Sequence, residues 1–161
     1  MQIVVMGVSG CGKSTVGQLL ADQFGARFID GDDLHPAANK AKMAAGTPLN
    51  DDDRWPWLAL VGQTLAEGDT VVACSALKRV YRERILAAAP NTKFVHLAGS
   101  REVLEQRLGA RSGHFMPASL LDSQLATLEA LATDEPGIVV DIDQPVAAIV
   151  AEAVGWLRSQ K

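Results

Sequence analysis

Short apolar runs, rich in β-branched residues, recur along the chain, and each is followed by a longer stretch with helical spacing. Strand signals fall at 2–6, 27–30, 70–74, 93–97 and 137–142. After the first run, Val16, Leu19, Leu20 and Phe24 recur at i, i+3, i+4 and i+8, which predicts an amphipathic helix. Leu58, Val61 and Leu65 give a second helical face that ends before Gly68-Asp69, with Pro56 placed in the helix's first turn. Leu104 and Leu108, then Leu121, Leu125 and Leu128, mark two more. Pro145 opens a last one, with Val146, Ile149, Val150, Ala153 and Leu157 on its face. Five strands alternating with helices predict an α/β protein, a three-layer α/β/α fold built on a five-stranded parallel sheet. No repeat, low-complexity tract or linker interrupts the pattern, so residues 1–161 are expected to form one domain. In such sheets ligands bind beyond the carboxyl ends of the strands, so those ends are where chemistry is sought.

Composition narrows the class. The chain is 48% hydrophobic and 21% charged, enough for a full core and against disorder. A net charge of −4 disfavours a broad nucleic-acid or anionic-membrane surface. No apolar run approaches the roughly 20 residues of a spanning helix. The first strand begins almost at once, leaving no room for a signal peptide, and the expected compartment is the cytoplasm. Cys11 and Cys74 have neither disulfide-framework nor zinc spacing. Cys11 is read as a small loop filler rather than a reactive thiol at a helix start.

Candidate chemistry begins at Gly7-Val8-Ser9-Gly10-Cys11-Gly12-Lys13-Ser14, which fits the phosphate-binding pattern G-x-x-x-x-G-K-[ST]. Its glycines let successive N–H groups point at phosphate oxygens. Lys13 adds a charge for the β- and γ-phosphates, and the Ser14 hydroxyl can ligate Mg²⁺. Strand before and helix after give the loop its required context. At the end of the second strand, Asp30 and Asp32 flank Gly31, an alternation that lets both face the phosphate site. One can hold Mg²⁺ through water and the other accept a hydroxyl proton; an acidic turn capping the next helix is the alternative. Arg54 either grips a substrate carboxylate or hydroxyls, or pairs with Asp51, Asp52 or Asp53. The third strand ends in Cys74-Ser75, without the acid that nucleotide hydrolases place there, which weakens a hydrolase or switch reading. Lys78, at that strand's end, can meet an anionic substrate. His96 reads as a satisfied core histidine. Arg107 and Arg111, four apart on one helical face, suggest a bound anion. The break at 112–117 suits a mobile lid or a plain helix end.

The motifs together resemble those of the gluconokinases, ATP-dependent gluconate kinases among the small P-loop kinases. The resemblance rests on residues 7–14, Asp30-Gly31-Asp32-x-Leu34-His35-Pro36 with Asn39, and Lys42-Met43-x-x-Gly46-x-Pro48-Leu49. It continues in Asp51-x-Asp53-Arg54-x-Pro56-Trp57-Leu58, Cys74-Ser75-Ala76-Leu77-Lys78 with Tyr81-Arg82, and Arg111-x-Gly113-His114-Phe115-Met116. Ser123-Gln124, Thr127-Leu128-Glu129 and Val140-Asp141-Ile142-Asp143 carry it nearly to the C-terminus. Cys11 departs from it, where a small hydroxylated residue is common, and so does Ala130-Leu131, where proline is. The resemblance implies a nucleoside-monophosphate-kinase-like fold with a substrate-binding segment near 35–66 and a lid near 107–120. It implies transfer of the ATP γ-phosphoryl group to the 6-hydroxyl of D-gluconate, with Mg²⁺. By resemblance, Gly10, Gly12, Lys13, Ser14 and Thr15 hold phosphate and metal, Asp30 joins the Mg²⁺ water shell, and Asp32 is the general base. Arg54, Lys78 and Arg82 take the substrate, joined by His35 and His114; Arg107 stacks on adenine and Arg111 closes over the phosphates. Another small-metabolite kinase, such as a shikimate kinase, and a nucleotide-binding switch are the alternative functions. A homodimer is left open.

Overall fold

The computed structural model describes residues 1–109 and 118–160. Five strands, β1 (Gln2–Met6), β2 (Arg27–Asp30), β3 (Thr70–Ala73), β4 (Lys93–Ala98) and β5 (Gly137–Asp141), form one sheet in the order β2-β3-β1-β4-β5. Every neighbouring pair is parallel. The expected strands therefore appear within one residue of their predicted ends. The helices are α1 (Lys13–Phe24), α2 (Ala37–Ala44), α3 (Asp51–Ala66), α4 (Arg79–Ala88), α5 (Arg101–Gly109), α6 (Ala118–Thr127) and α7 (Val146–Ser159).

Side-chain alternation along the strands splits the core into two layers. Ile3, Val5, Val71 and Val95 pack with Val16, Leu20, Ile149 and Leu157 of α1 and α7. Val4, Met6, Val72 and Phe94 pack on the other face with Leu58, Val61, Leu65 and Ile85 of α3 and α4. The connection from β1 runs to one side of the sheet and that from β3 crosses to the other, so the switch in direction lies beside β1, the strand that feeds the phosphate-loop sequence. Among the described residues no helix is long and apolar enough to cross a membrane.

Two details differ from the sequence pattern. Leu19 is 39% exposed although it was placed on the buried face of α1. The buried residues are Val16, Gly17, Leu20 and Ala21; at about 100° per residue, Leu19 lies well away from the centre of that set. Gly17 carries no hydrophobic signal, yet a Cβ there would come within 2.6 Å of the Phe28 ring, so the face it defines is invisible to apolar periodicity. Pro56 also sits deeper than expected. The Asn50 side chain accepts from the Asp53 N–H, and the Asp53 carboxylate accepts from the Asn50 N–H. This capping box starts α3 at Asp51, which puts Pro56 inside the helix rather than in its first turn.

His96 on β4 is buried, as expected, but not satisfied: its Nδ1 has no hydrogen-bond partner among the described residues. Burial first, and the Arg82 charge second, lower its pKa from 6.5 to about 4. The unfolded chain therefore takes up the proton first as pH falls, so stability is lost progressively from about pH 6.5 down to about 4. A shift of this size corresponds to roughly 3–4 kcal/mol. That amounts to a fall in Tm of about 7–14 °C for a chain of this length. His96→Leu is expected to flatten the Tm–pH curve across that window; an unchanged slope would place the acid sensitivity elsewhere.

Candidate active site

The loop between β1 and α1 curls around a cavity of about 500 Å³ lined by Ser9, Gly10, Lys13, Ser14, Asp30 and Asp32, with Gly12, Ala73, Ser75 and Gln124 completing the wall. Gly7 permits the curl: its φ is 145°, and a Cβ would lie 2.8 Å from the Leu97 carbonyl and 2.7 Å from Cys11 Sγ. Val8 and Cys11 are buried beneath the loop. Burial raises the Cys11 thiol pKa, which agrees with a filler and not with a reactive thiol. Lys13 Nζ donates to the carbonyls of Gly7 and Val8 at 3.0 and 3.2 Å. Ser14 and Thr15 are exposed on the first turn of α1.

β2 delivers both acids to the same cavity. Asp30 accepts from the Asp32 N–H at 3.0 Å and so caps the 3₁₀ turn Gly31–Leu34. Asp30 therefore both caps this turn and lines the cavity. Gly31 lets this turn press against β3, since a Cβ there would lie 2.5 Å from the Ala73 carbonyl. Partial burial, then the neighbouring Asp30 charge, raise the Asp32 pKa, while Lys13 opposes the rise. Asp32 is thereby a stronger base than a free carboxylate. Among the described residues no group of three or more His, Cys, Asp or Glu side chains could cage a metal unaided. Ser14 and Asp30 do present hard oxygen donors on one cavity wall. That donor set fits Mg²⁺ arriving with phosphate oxygens and waters.

A second cluster forms where α3 meets α4. The Tyr81 hydroxyl donates to Asp51 Oδ1 at 2.5 Å, and Lys78 Nζ donates to the same carboxylate at 3.4 Å. Arg54 lies 3.8 Å from Asp51 and donates to the Tyr81 hydroxyl at 3.3 Å. The Tyr81 hydrogen bond, reinforced by Lys78, lowers the Asp51 pKa. Two cations meet one carboxylate, so the cluster keeps one positive charge. The two readings of Arg54 are therefore compatible: it pairs with Asp51 and still contributes to a cationic surface. Arg54 and Lys78 lie outside the lining of the phosphate cavity. His35 sits within electrostatic reach of both clusters, because Asp32 raises its pKa and Arg54 lowers it, although burial is the largest effect and lowers it. Its ring stacks on Trp57 at 4.2 Å between centroids. Asn39 Nδ2 donates to His35 Nδ1 at 3.2 Å, which assigns the proton to Nε2.

Arg82 requires a correction. It is wholly buried; its Nε and Nη2 donate to Glu135 at 2.7 and 3.0 Å, and Nη1 donates to the Ala76 and Leu77 carbonyls. With its guanidinium committed to packing α4 against the 132–135 turn, it has no face for a substrate carboxylate. The sequence shows an arginine on a helix but not the distant Glu135 that consumes it. Arg107 Nη2 donates to the Ile142 carbonyl at 2.5 Å, and Nη1 would lie 3.7 Å from a Cβ on Gly12, so it does reach the loop. Arg111 and His114, and most of the expected lid, lie outside the described residues. Asp51, read from sequence only as a possible partner of Arg54, and Tyr81 and Gln124, given no role there, now have one. Asp51 and Tyr81 organise the cationic cluster, and Gln124 joins the phosphate loop: the Ser9 N–H donates to its Oε1 at 2.7 Å, and its Nε2 donates to Ser9 Oγ at 3.0 Å. The Asp51–Arg54 spacing of one helical turn hinted at the first pair; nothing local pointed to Gln124.

A phosphate loop, paired acids at the next strand end and a cationic cluster beyond them define a P-loop small-molecule kinase. The AAA domain family model matches residues 3–131. The thermoresistant gluconokinase of Escherichia coli is 46% identical, over 98% of this chain and 94% of that one. The crystal structure of a gluconokinase from Sinorhizobium meliloti is 52% identical, with a TM-score of 0.91, covering 98% of this chain and 91% of its own. A shikimate kinase structure from Aquifex aeolicus, 17% identical with a TM-score of 0.63 over 99% and 97% of the two chains, shares the fold alone. The chain belongs to the AAA domain family and, within the P-loop kinases, to the gluconokinases.

Proposed function

We infer that this protein transfers the γ-phosphoryl group of ATP to the 6-hydroxyl of D-gluconate, giving 6-phospho-D-gluconate and ADP. Full-length similarity to gluconokinases supports the reading. The observation that carries it is the pairing of a phosphate cavity containing a strengthened base, Asp32, with a separate cluster of one net positive charge suited to a monocarboxylate. Phosphoryl transfer asks for alignment and charge stabilisation more than covalent help. Backbone N–H groups of 8–14 and Lys13 grip the phosphates, with Arg107 on the nucleotide side. Arg54 and Lys78 take the carboxylate, and neutral His35 offers its Nε2–H to a hydroxyl of the sugar chain. Asp32 orients the 6-hydroxyl and accepts its proton as the new O–P bond forms. Ser14 and, through water, Asp30 would hold Mg²⁺, which when bound offsets phosphate charge. The proposal includes action in the cytoplasm. ADP release measured across gluconate, shikimate and other sugar acids tests it: release with gluconate is expected, and equal release with shikimate would sink it.

Recognition of the two substrates should separate. Lys78 stands at the acceptor cluster and not in the phosphate cavity, so Lys78→Ala should raise KM for gluconate about ten- to a hundredfold, the worth of one charge-assisted hydrogen bond. KM for ATP should stay within about twofold. A collapse of ATP affinity with gluconate KM steady would move Lys78 to the nucleotide side.

A further inference from the structure

We propose that Gln124 is a ligand of the terminal phosphate of ATP, held on the phosphate loop until the nucleotide arrives. Gln124 is carried by α6, far from the loop in sequence, yet it lines the same cavity as Lys13, Ser14, Asp30 and Asp32. Its carboxamide makes both bonds to one loop residue, accepting from the Ser9 N–H and donating to Ser9 Oγ. The Ser9 N–H belongs to the set of loop amides that the phosphate pattern turns toward an anion. In the free protein that donor and the Lys13 ammonium are both satisfied by neutral carbonyl oxygens, those of Gln124, Gly7 and Val8. An anionic phosphate oxygen is the stronger acceptor for both donors. Once it takes the Ser9 N–H, the carboxamide oxygen loses its partner while the amide nitrogen, which gives one N–H to Ser9 Oγ, has its second N–H for the phosphate. An uncharged donor suits the transferring phosphoryl group, whose charge is spread over three oxygens. The rival role is a brace that only holds α6 to the loop.

This inference rests on the loop binding ATP, and the two are tested separately. Affinities for ADP and for a non-hydrolysable ATP analogue are measured first on the wild-type protein; binding of neither would defeat the nucleotide reading itself. Gln124→Glu and Gln124→Ala are then read together, because a carboxylate at 124 would repel the terminal phosphate even from a mere brace, and only the uncharged variant decides what a loss means. A carboxylate still accepts from the Ser9 N–H and from the Ser9 hydroxyl, so the brace and the Tm survive, but it cannot donate to phosphate. The analogue should bind about ten- to a hundredfold more weakly while ADP changes within about threefold, and kcat should fall by a similar factor. Gln124→Ala should show the same selective loss for the analogue. Wild-type kcat and analogue affinity in Gln124→Glu would overturn the proposal, as would Gln124→Ala weakening both nucleotides equally.

Discussion

Lys13→Ala is expected to leave a folded protein with almost no turnover. Two effects of the substitution have to be weighed. In the free protein Lys13 Nζ closes the loop on itself by donating to the Gly7 and Val8 carbonyls, so its removal costs stability as well as chemistry. Lys13 is only partly buried, and those carbonyls can turn to water, so the loss should be about 1 kcal/mol, or a few degrees in Tm. The catalytic loss is larger, because Lys13, whose charge follows the γ-phosphate into the transition state, is the one cation among the described residues that line the cavity. Preorganised donors of this kind are worth on the order of 10²–10³-fold each in kcat. A Tm within a few degrees of wild type, with kcat down by at least that factor, is the expected pair of results. Near-normal kcat in the folded variant would refute the phosphate-loop assignment.

The parts of the fold and site that sequence made legible are those whose signals are local. β-Branched runs marked the strands because both sheet faces are buried, and the loop pattern was readable because its physics is confined to eight consecutive residues. Asp30 and Asp32 were legible because a strand end fixes their direction. Where a residue's role depends on a distant partner, sequence reasoning divided or failed. Arg82 and Lys78 look alike along the chain; only Glu135, folded back against α4, shows that the first is spent internally while the second faces Asp51 and Tyr81. Gln124 was seen in sequence as part of a shared motif, but its role was hidden for the same reason, since that role depends on proximity to Ser9 across the molecule. Leu19 misled through a local signal, because glycine and alanine carry the buried face of α1 as much as its leucines do.

The roles of Asp32 and Asp30 are separable by response even though one turn holds both. Asn at position 30 keeps a side-chain oxygen to accept from the residue 32 N–H, so the 3₁₀ turn and its register on β3 survive either substitution. Asp32→Asn removes the acceptor for the 6-hydroxyl proton at the group whose pKa the site raises. It should lower kcat by roughly 10²–10⁴-fold with ATP affinity and Mg²⁺ dependence little changed. In a loose transition state the acceptor hydroxyl becomes acidic only late, so if positioning outweighs proton transfer the loss will fall near the low end of that range. Asp30→Asn should instead raise the Mg²⁺ concentration for half-maximal activity, since a water-mediated anchor is weakened while the base remains. It also removes a charge that raises the Asp32 pKa, so the acid limb of the kcat–pH profile should move to lower pH in that variant. The Mg²⁺ titration together with the pH profile thus tells the two acids apart. If Asp32→Asn shifts the Mg²⁺ requirement and Asp30→Asn leaves both it and the acid limb unmoved, the two assignments are reversed.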